Sequence, residues 1–366
     1  MIFLKYYDRI VLRIEVDSMR CVTIAGPKKL VIEKKEAPVG KEGYILIDVI
    51  KAGICGSDIH YWYAGMPKGL VMGHEFSGIV IDNGGSKKFN AGDRVTALPI
   101  TPCLECKECK SGEVQICSQT WSHAIGLTTE TPGGFGGRIL VREDMVRLLP
   151  DNVSYDAGAM IEPAAVALRA ADISNVKKGD KALVIGGGII GLLTAVFLRL
   201  KGCSYIALTE TNPLRGAKSV KLGVADEWFN ALDPKLAEKL FSVTKNGFDI
   251  VADCCGNSPA LSSAIMFTKP NGNLTMVGIS MENVNVPMVA AVMKEINIKG
   301  SIAYKPEEFD EVIKLLTTKK INLERFVDDI VILDEVQNAF ERLTSGKDGA
   351  VKILVDPNKA KIIDIK

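Results

Sequence analysis

The stretch KALVIGGGIIGL, residues 181–192, constrains what this chain can fold into more than any other. A short apolar run leads straight into Gly186, Gly188 and Gly191, a G-x-G-x-x-G spacing, and then into an apolar run of helical length. The first glycine permits a tight turn, the second lets backbone amides approach a pyrophosphate, and the third lets the helix pack closely on the strand. With Ile190 inside the motif, these residues form a candidate cofactor-binding set. The next apolar run, YIALT, ends at Glu210, 19 residues beyond Gly191, where a carboxylate accepts hydrogen bonds from the adenosine ribose. A carboxylate there repels a 2′-phosphate, which favours NAD over NADP. Arg215, five residues on, is placed either to offset that repulsion or to stack on adenine.

The surrounding rhythm supports a parallel sheet. Strand-like runs at residues 182–185, 205–209, 249–253 and 272–277 alternate with helical ones at 191–201, 213–222 and 259–267, which is a βαβ pattern covered on both faces. Before residue 150 the texture differs: short β-branched runs at 44–50, 78–81 and 94–97 are separated by Gly, Pro and Asn/Asp turns. After Gly300, helices are expected at 306–317 and 334–345 and a strand at 350–355. A chain of 366 residues exceeds one ordinary core. The expected class is therefore α/β, a Rossmann doubly wound parallel sheet joined to a β-rich domain.

Charge and patterning exclude several functions. The 45 Lys and Arg against 44 Asp and Glu leave +1, without the excess that draws a protein to nucleic acid or anionic lipid. The longest uncharged apolar run, residues 182–198, has 17 residues and is punctuated by glycines, too short for a comfortable membrane span. The first 18 residues scatter charge at Lys5, Asp8, Arg9, Arg13, Glu15 and Asp17 and read as no export signal. Met19 could itself initiate, while the alternation at 10–16 reads as an extra strand.

Nine cysteines, four of them inside residues 103–117, favour a reducing compartment, the cytoplasm, and metal ligation. Cys103, Cys106, Cys109 and Cys117 give C-x2-C-x2-C-x7-C, whose two-residue gaps let successive thiolates converge on one tetrahedral ion, with Lys107 and Lys110 easing the charge. A ferredoxin run needs a three-residue last gap followed by proline; here the gap is seven and Ser118 follows. Disulfide pairing is the other reading, disfavoured in a reducing compartment. Four protein ligands leave no position for a substrate, so this zinc is expected to be structural.

Two of the three histidines fall in GICGSDIHYW, residues 53–62, and GHE, residues 73–75. Cys55, His74 and Glu75 there supply thiolate, imidazole and carboxylate, the ligand types of a catalytic zinc with one open position. Singly, each has a plainer reading as a small buried hydrophobe or a hydrogen-bonded core group. Beside a dinucleotide fold the combination is a candidate site.

Together with VMGHEFSGIV, AGDRV, GGF at 133–135, LLPDNVSYDAGAMIEP, VADCCG and VPMVAAVMKEINIKG, these motifs make the chain resemble the zinc-dependent medium-chain alcohol dehydrogenases from Met19 to about Pro357. It is most similar to the sorbitol (polyol) dehydrogenase branch in its microbial form, which has the four-cysteine lobe. The resemblance implies an extension at 1–18, a GroES-like catalytic domain at 19–164 with a structural-zinc lobe at 100–120, a Rossmann domain at 165–304, and a return to the catalytic domain at 305–366. It implies two zinc ions per subunit. Cys55 and His74 would hold the catalytic one with Glu162 of MIEP as third ligand, directly or through water, and Glu75 either ligating it or hydrogen-bonding to the water beside it. Ser57 and His60 match the family's proton relay, and Val277, Ile279 and Ala303 lie where the family supplies backbone near the nicotinamide. A homodimer or homotetramer joined through the Rossmann sheet edge is implied as well.

The implied reaction transfers a hydride from a secondary alcohol or polyol to NAD. A glutamate where ethanol-type enzymes carry cysteine donates less charge to zinc, leaving it more Lewis-acidic and suited to a vicinal diol. The stretch between Trp62 and Gly73 is shorter than in sorbitol dehydrogenases, which keeps threonine and butanediol dehydrogenation as near variants. A nonenzymatic, zinc-stabilised dinucleotide-binding protein is the alternative, though such a protein needs no proton relay. A nucleic-acid-binding zinc module is opposed by the neutral charge and the aromatic-poor lobe. His123 reads as near the cleft or on the surface, and Cys254 and Cys255 read as cofactor neighbours or, preferably, as packing.

Overall fold

The computed structural model describes residues 18–359; the strand expected at 10–16 lies outside them. The glycine fingerprint opens the helix Ile189–Lys201 directly after the strand Lys181–Ile185, whose last four residues are all buried. That strand is central in a six-stranded sheet, wholly parallel, ordered Glu227–Asn230, Tyr205–Glu210, Lys181–Ile185, Phe248–Asp253, Thr268–Met276 and Asn297–Gly300. The order in which successive strands are added reverses between Lys181–Ile185 and Phe248–Asp253, so the crevice for a dinucleotide opens above the carboxyl ends of these two strands. Sequence pattern did not anticipate the two edge strands. Glu227–Asn230 is half polar and Asn297–Gly300 exposed throughout, so neither carries the continuous apolar run of a sheet interior.

A second sheet of seven strands is built from both ends of the chain. Its order is Asp329–Ile332, Ile353–Asp356, Tyr44–Gly53, Glu75–Asp82, Arg94–Ala97 and Val146–Leu148, with Arg138–Arg142 also paired to Tyr44–Gly53. Ile353–Asp356 pairs antiparallel with Tyr44–Gly53, setting Leu354 opposite Gly53. Gly53 also sits opposite Glu75, the first residue of its strand. No side chain fits at Gly53, because a Cβ would run into the Glu75 carboxylate and the end of Lys352. Helix Ile161–Ile173 packs against both Ile189–Lys201 and Pro306–Thr317, tying the two sheets together. An antiparallel hairpin of Ser18–Gly26 and Lys29–Glu36 completes the strands.

Candidate active site and metal centres

Cys55 caps helix Gly56–Ala64, and three residues on Asp58 turns back to accept the Cys55 backbone N–H at 2.9 Å through Oδ2. The other Asp58 oxygen lies 3.5 Å from His74 Nδ1, with both groups buried. Asp58 thus stands behind the imidazole, close but not hydrogen-bonded to it, with Nε2 on the far side, the orientation a metal-ligating histidine takes from a carboxylate behind it. Burial opposes a charged His74, but Asp58 and Cys55 outweigh it and hold the metal-free imidazole's pKa well above its ordinary value. The ligand atoms of Cys55, His74 and Glu75 all lie within 4.8 Å of one another.

Glu75 is buried, with one oxygen held by the Lys352 ammonium from the C-terminal strand region and the other without a hydrogen-bond partner. Lys352 Nζ also donates to the Ile54 carbonyl at 3.0 Å, so one side chain grips the segments carrying Cys55 and Glu75. Glu162 stands outside the trio but faces it. Burial, and after it the Glu75 charge, push its carboxyl up to about 7 against the pull of His74. The hydroxyl of Tyr304, fully buried, lies against Glu162 without a geometric hydrogen bond; burial first, then the Glu162 charge, hold its pKa well above the phenol's ordinary value. Thiol, imidazole and partly unpartnered buried carboxylates around one point fit a zinc ion, because a cation supplies the charge this cluster lacks.

The four-cysteine lobe fits zinc equally well. The sulfurs of Cys103, Cys106, Cys109 and Cys117 lie within 4.8 Å of one another, and backbone N–H groups point at three of them: Cys106 to Cys103 at 3.3 Å, Cys109 to Cys106 at 3.4 Å and Gln119 to Cys117 at 3.4 Å. Backbone N–H donors, that of Cys103 foremost, hold the Cys117 thiol down at about 6. The Cys109 N–H favours the Cys106 thiolate, yet desolvation and neighbouring thiols push Cys106 up to about 12. Four crowded sulfurs ionise together only around a cation.

At the dinucleotide crevice, Gly186 adopts φ 103°, and a Cβ on Gly191 would collide with the Gly186 carbonyl oxygen. Gly188 caps helix Ile189–Lys201 without a side chain, leaving first-turn N–H groups for a phosphate, and Ile190 lies in that turn. Glu210 accepts from the Gly187 N–H at 2.6 Å and the Asn212 N–H at 2.8 Å, which plants its carboxylate beside the glycine turn. Val277 and Ile279 follow the strand Thr268–Met276, and Ala303, at φ 44°, follows Asn297–Gly300, all at the carboxyl ends of the sheet.

Arg215 is directed elsewhere: its guanidinium donates to the carbonyls of Leu343 at 2.6 Å and Ala350 at 2.8 and 3.1 Å, joining its helix to the C-terminal region. Ser57 Oγ lies 3.4 Å from His74 Nε2, whereas exposed His60 has no hydrogen bond to Ser57 among the described residues, so a relay between them needs a bridging hydroxyl. His123 is exposed. Cys254 packs against the main core with its sulfur 3.9 Å from the Thr194 hydroxyl, as expected, whereas Cys255 is exposed, its sulfur 3.5 Å from the Ile185 carbonyl at the end of the central strand, so packing does not account for it. Asp58, Tyr304 and Lys352 were not singled out in the sequence. Only Asp58 left a local signal, an acid three residues past the helix cap.

Two family models match the chain, one described as alcohol dehydrogenase GroES-like domain over residues 41–151 and one as zinc-binding dehydrogenase over residues 190–318. Sorbitol dehydrogenase of Bacillus subtilis (strain 168) is 31% identical over 353 residues, which are 93% of this chain and 98% of that protein. "Probable D-xylulose reductase A" of Arthroderma otae is 30% identical over 346 residues, 91% of this chain and 95% of that one. The crystal structure of 2R,3R-butanediol dehydrogenase from Bacillus subtilis matches with a TM-score of 0.83 at 31% identity, covering 93% of this chain and 100% of that chain.

Proposed function

Because the chain belongs to the zinc-dependent medium-chain alcohol dehydrogenase family, we propose that it transfers a hydride from a secondary alcohol, a polyol of the sorbitol or xylitol kind, to NAD. The observation that carries this reading is the buried Glu162 carboxylate, with Tyr304 against it, facing the Cys55, His74 and Glu75 cluster. A hydroxyl-rich substrate finds polar partners there that a simple alcohol has no second oxygen to use. End-to-end similarity to a sorbitol dehydrogenase and a D-xylulose reductase supports the same class. The butanediol dehydrogenase match keeps a short vicinal diol as the second reading.

Zinc held by Cys55, His74 and Glu162 would supply the Lewis acidity that makes an alcohol a hydride donor near neutral pH, and a second zinc in the four-cysteine lobe would be structural. The chain's own residues do the rest. Asp58 stands behind the His74 ring and favours a proton on Nδ1, Lys352 holds Glu75, and Ser57, through a bridging hydroxyl, passes the departing proton towards His60, which is open to solvent. The helix start at Gly188 would receive the pyrophosphate, and Glu210 disfavours a 2′-phosphate, which supports NAD over NADP. A spectrophotometric screen of sorbitol, xylitol, threonine, butanediol and simple secondary alcohols, run with NAD and NADP in parallel, tests both assignments. Polyols with NAD should lead it. Preference for threonine, or for NADP, would overturn the respective assignment.

All nine cysteines are free, which supports a reducing compartment such as the cytoplasm. Among the described residues no helix is long and apolar enough to cross a membrane. The open sheet edge Asn297–Gly300 lies beside exposed Met288, Val289, Val292 and Met293, an apolar surface that a second copy of the chain would cover. Sedimentation as a monomer at micromolar concentration would contradict that homo-oligomer.

A further inference from the structure

One side chain of the four-cysteine lobe pairs with the segments that carry Glu162 and Tyr304. Glu113 lies between Cys109 and Cys117. Its Oε1 accepts from the Lys305 ammonium and its Oε2 from Gln115 at 2.6 Å and Arg169 at 3.4 Å. Both cationic partners border residues of the candidate site. Arg169 sits seven residues after Glu162 in helix Ile161–Ile173, about two turns along the same helix face. Lys305 immediately follows Tyr304, whose hydroxyl lies against Glu162.

The same two segments are joined a second time. Arg169 pairs with Glu308 at 3.1 Å, and Glu308 accepts the Lys305 backbone N–H at 2.7 Å through its other oxygen. Arg169 and Glu308 are largely buried, so this is a network rather than an exposed pair. Val114, next to Glu113, is buried in the main core and seats the lobe at this point.

We infer that Glu113 makes the four-cysteine lobe a positioning element for the substrate side of the active site, clamping the segments that carry Glu162 and Tyr304. Folding of the lobe around its metal then fixes more than the lobe itself. Glu113 is the tie through which its shape sets the spacing of Glu162, a ligand of the proposed zinc, and Tyr304 beside it. The kinetic part of this inference rests on the proposed polyol oxidation; the structural part does not.

Hydrogen–deuterium exchange of the intact, zinc-loaded protein tests it, with steady-state kinetics alongside. In Glu113→Ala, peptides covering residues 301–309 should exchange about tenfold faster than in wild type, because local opening there loses an anchor. The polyol KM should rise about fivefold while the NAD KM and zinc content stay unchanged, a split that general loosening would not produce. Glu113→Gln, which keeps an acceptor for Lys305, should restore most of both. If Glu113→Ala sheds the lobe metal, Lys305→Met cuts the tie from the other end, leaves the lobe intact and should give the same faster exchange. Wild-type exchange at 301–309 in zinc-replete Glu113→Ala or in Lys305→Met would overturn the clamp. Faster exchange in a protein that oxidises no polyol would uphold the clamp and overturn only the proposed substrate.

Discussion

Replacing Lys352 by methionine should lower the melting temperature by about 10 °C and leave the catalytic zinc weakly held. Lys352 and Glu75 have side chains 0% and 1% exposed, and their pairing spans 277 positions of sequence. Removing one partner of such a pair strands a charge in the interior, at a cost of about 3–5 kcal/mol, which for a domain of this size corresponds to a shift of about 10 °C. Glu75 would relieve the strain by taking up a proton or by turning towards Cys55 and His74, and either disturbs the cluster proposed to hold zinc. The double variant Lys352→Met with Glu75→Gln should recover most of the melting temperature, because deleting both charges removes the unpaired group. Differential scanning calorimetry of the two variants is the check. A wild-type transition in Lys352→Met would show that the pair carries no such weight.

The second large effect is expected in the lobe. Cys106→Ser removes one of four sulfurs that converge within 4.8 Å, and three remaining thiolates hold zinc far more weakly. Any ion present at a thousandfold excess over its dissociation constant contributes about 4 kcal/mol to the folded state, and this variant forfeits that contribution. Purified Cys106→Ser should contain one zinc equivalent fewer than wild type and be cut by protease within residues 100–120. Glu113 should lose its fixed position with it. Retention of the wild-type metal content, or protease resistance of the lobe, would remove Cys106 from the ligand set.

What could be read in the chain beforehand was what is local. The glycine fingerprint, the cysteine spacing and the Glu210 carboxylate each sit within one strand–turn–helix or one loop, where periodicity and spacing carry the signal. The Rossmann-type sheet followed from the local pattern and the GroES-like domain from the family resemblance, and both hold in the matches. Asp58 was also local, although its backbone cap and its role behind His74 are visible only once helix Gly56–Ala64 is placed.

The rest is long-range. Lys352 looks like an ordinary surface lysine in KILVD until the C-terminal strand pairs with Tyr44–Gly53 and drives it under Glu75. Tyr304 and Glu113 depend on helix packing and on a lobe-to-helix contact that no window of sequence contains. Arg215 shows the converse. Its nearness to Glu210 in sequence suggested the cofactor, while in the fold its donors go to carbonyls as far as 135 residues away.

Zinc content measured by plasma mass spectrometry, together with polyol turnover, in wild type and His74→Ala is the most direct test of the whole account. Two equivalents per wild-type subunit, falling to one in an inactive but folded His74→Ala that still binds NAD, is the predicted result. A single equivalent in fully active wild type, or undiminished turnover in His74→Ala, would contradict it.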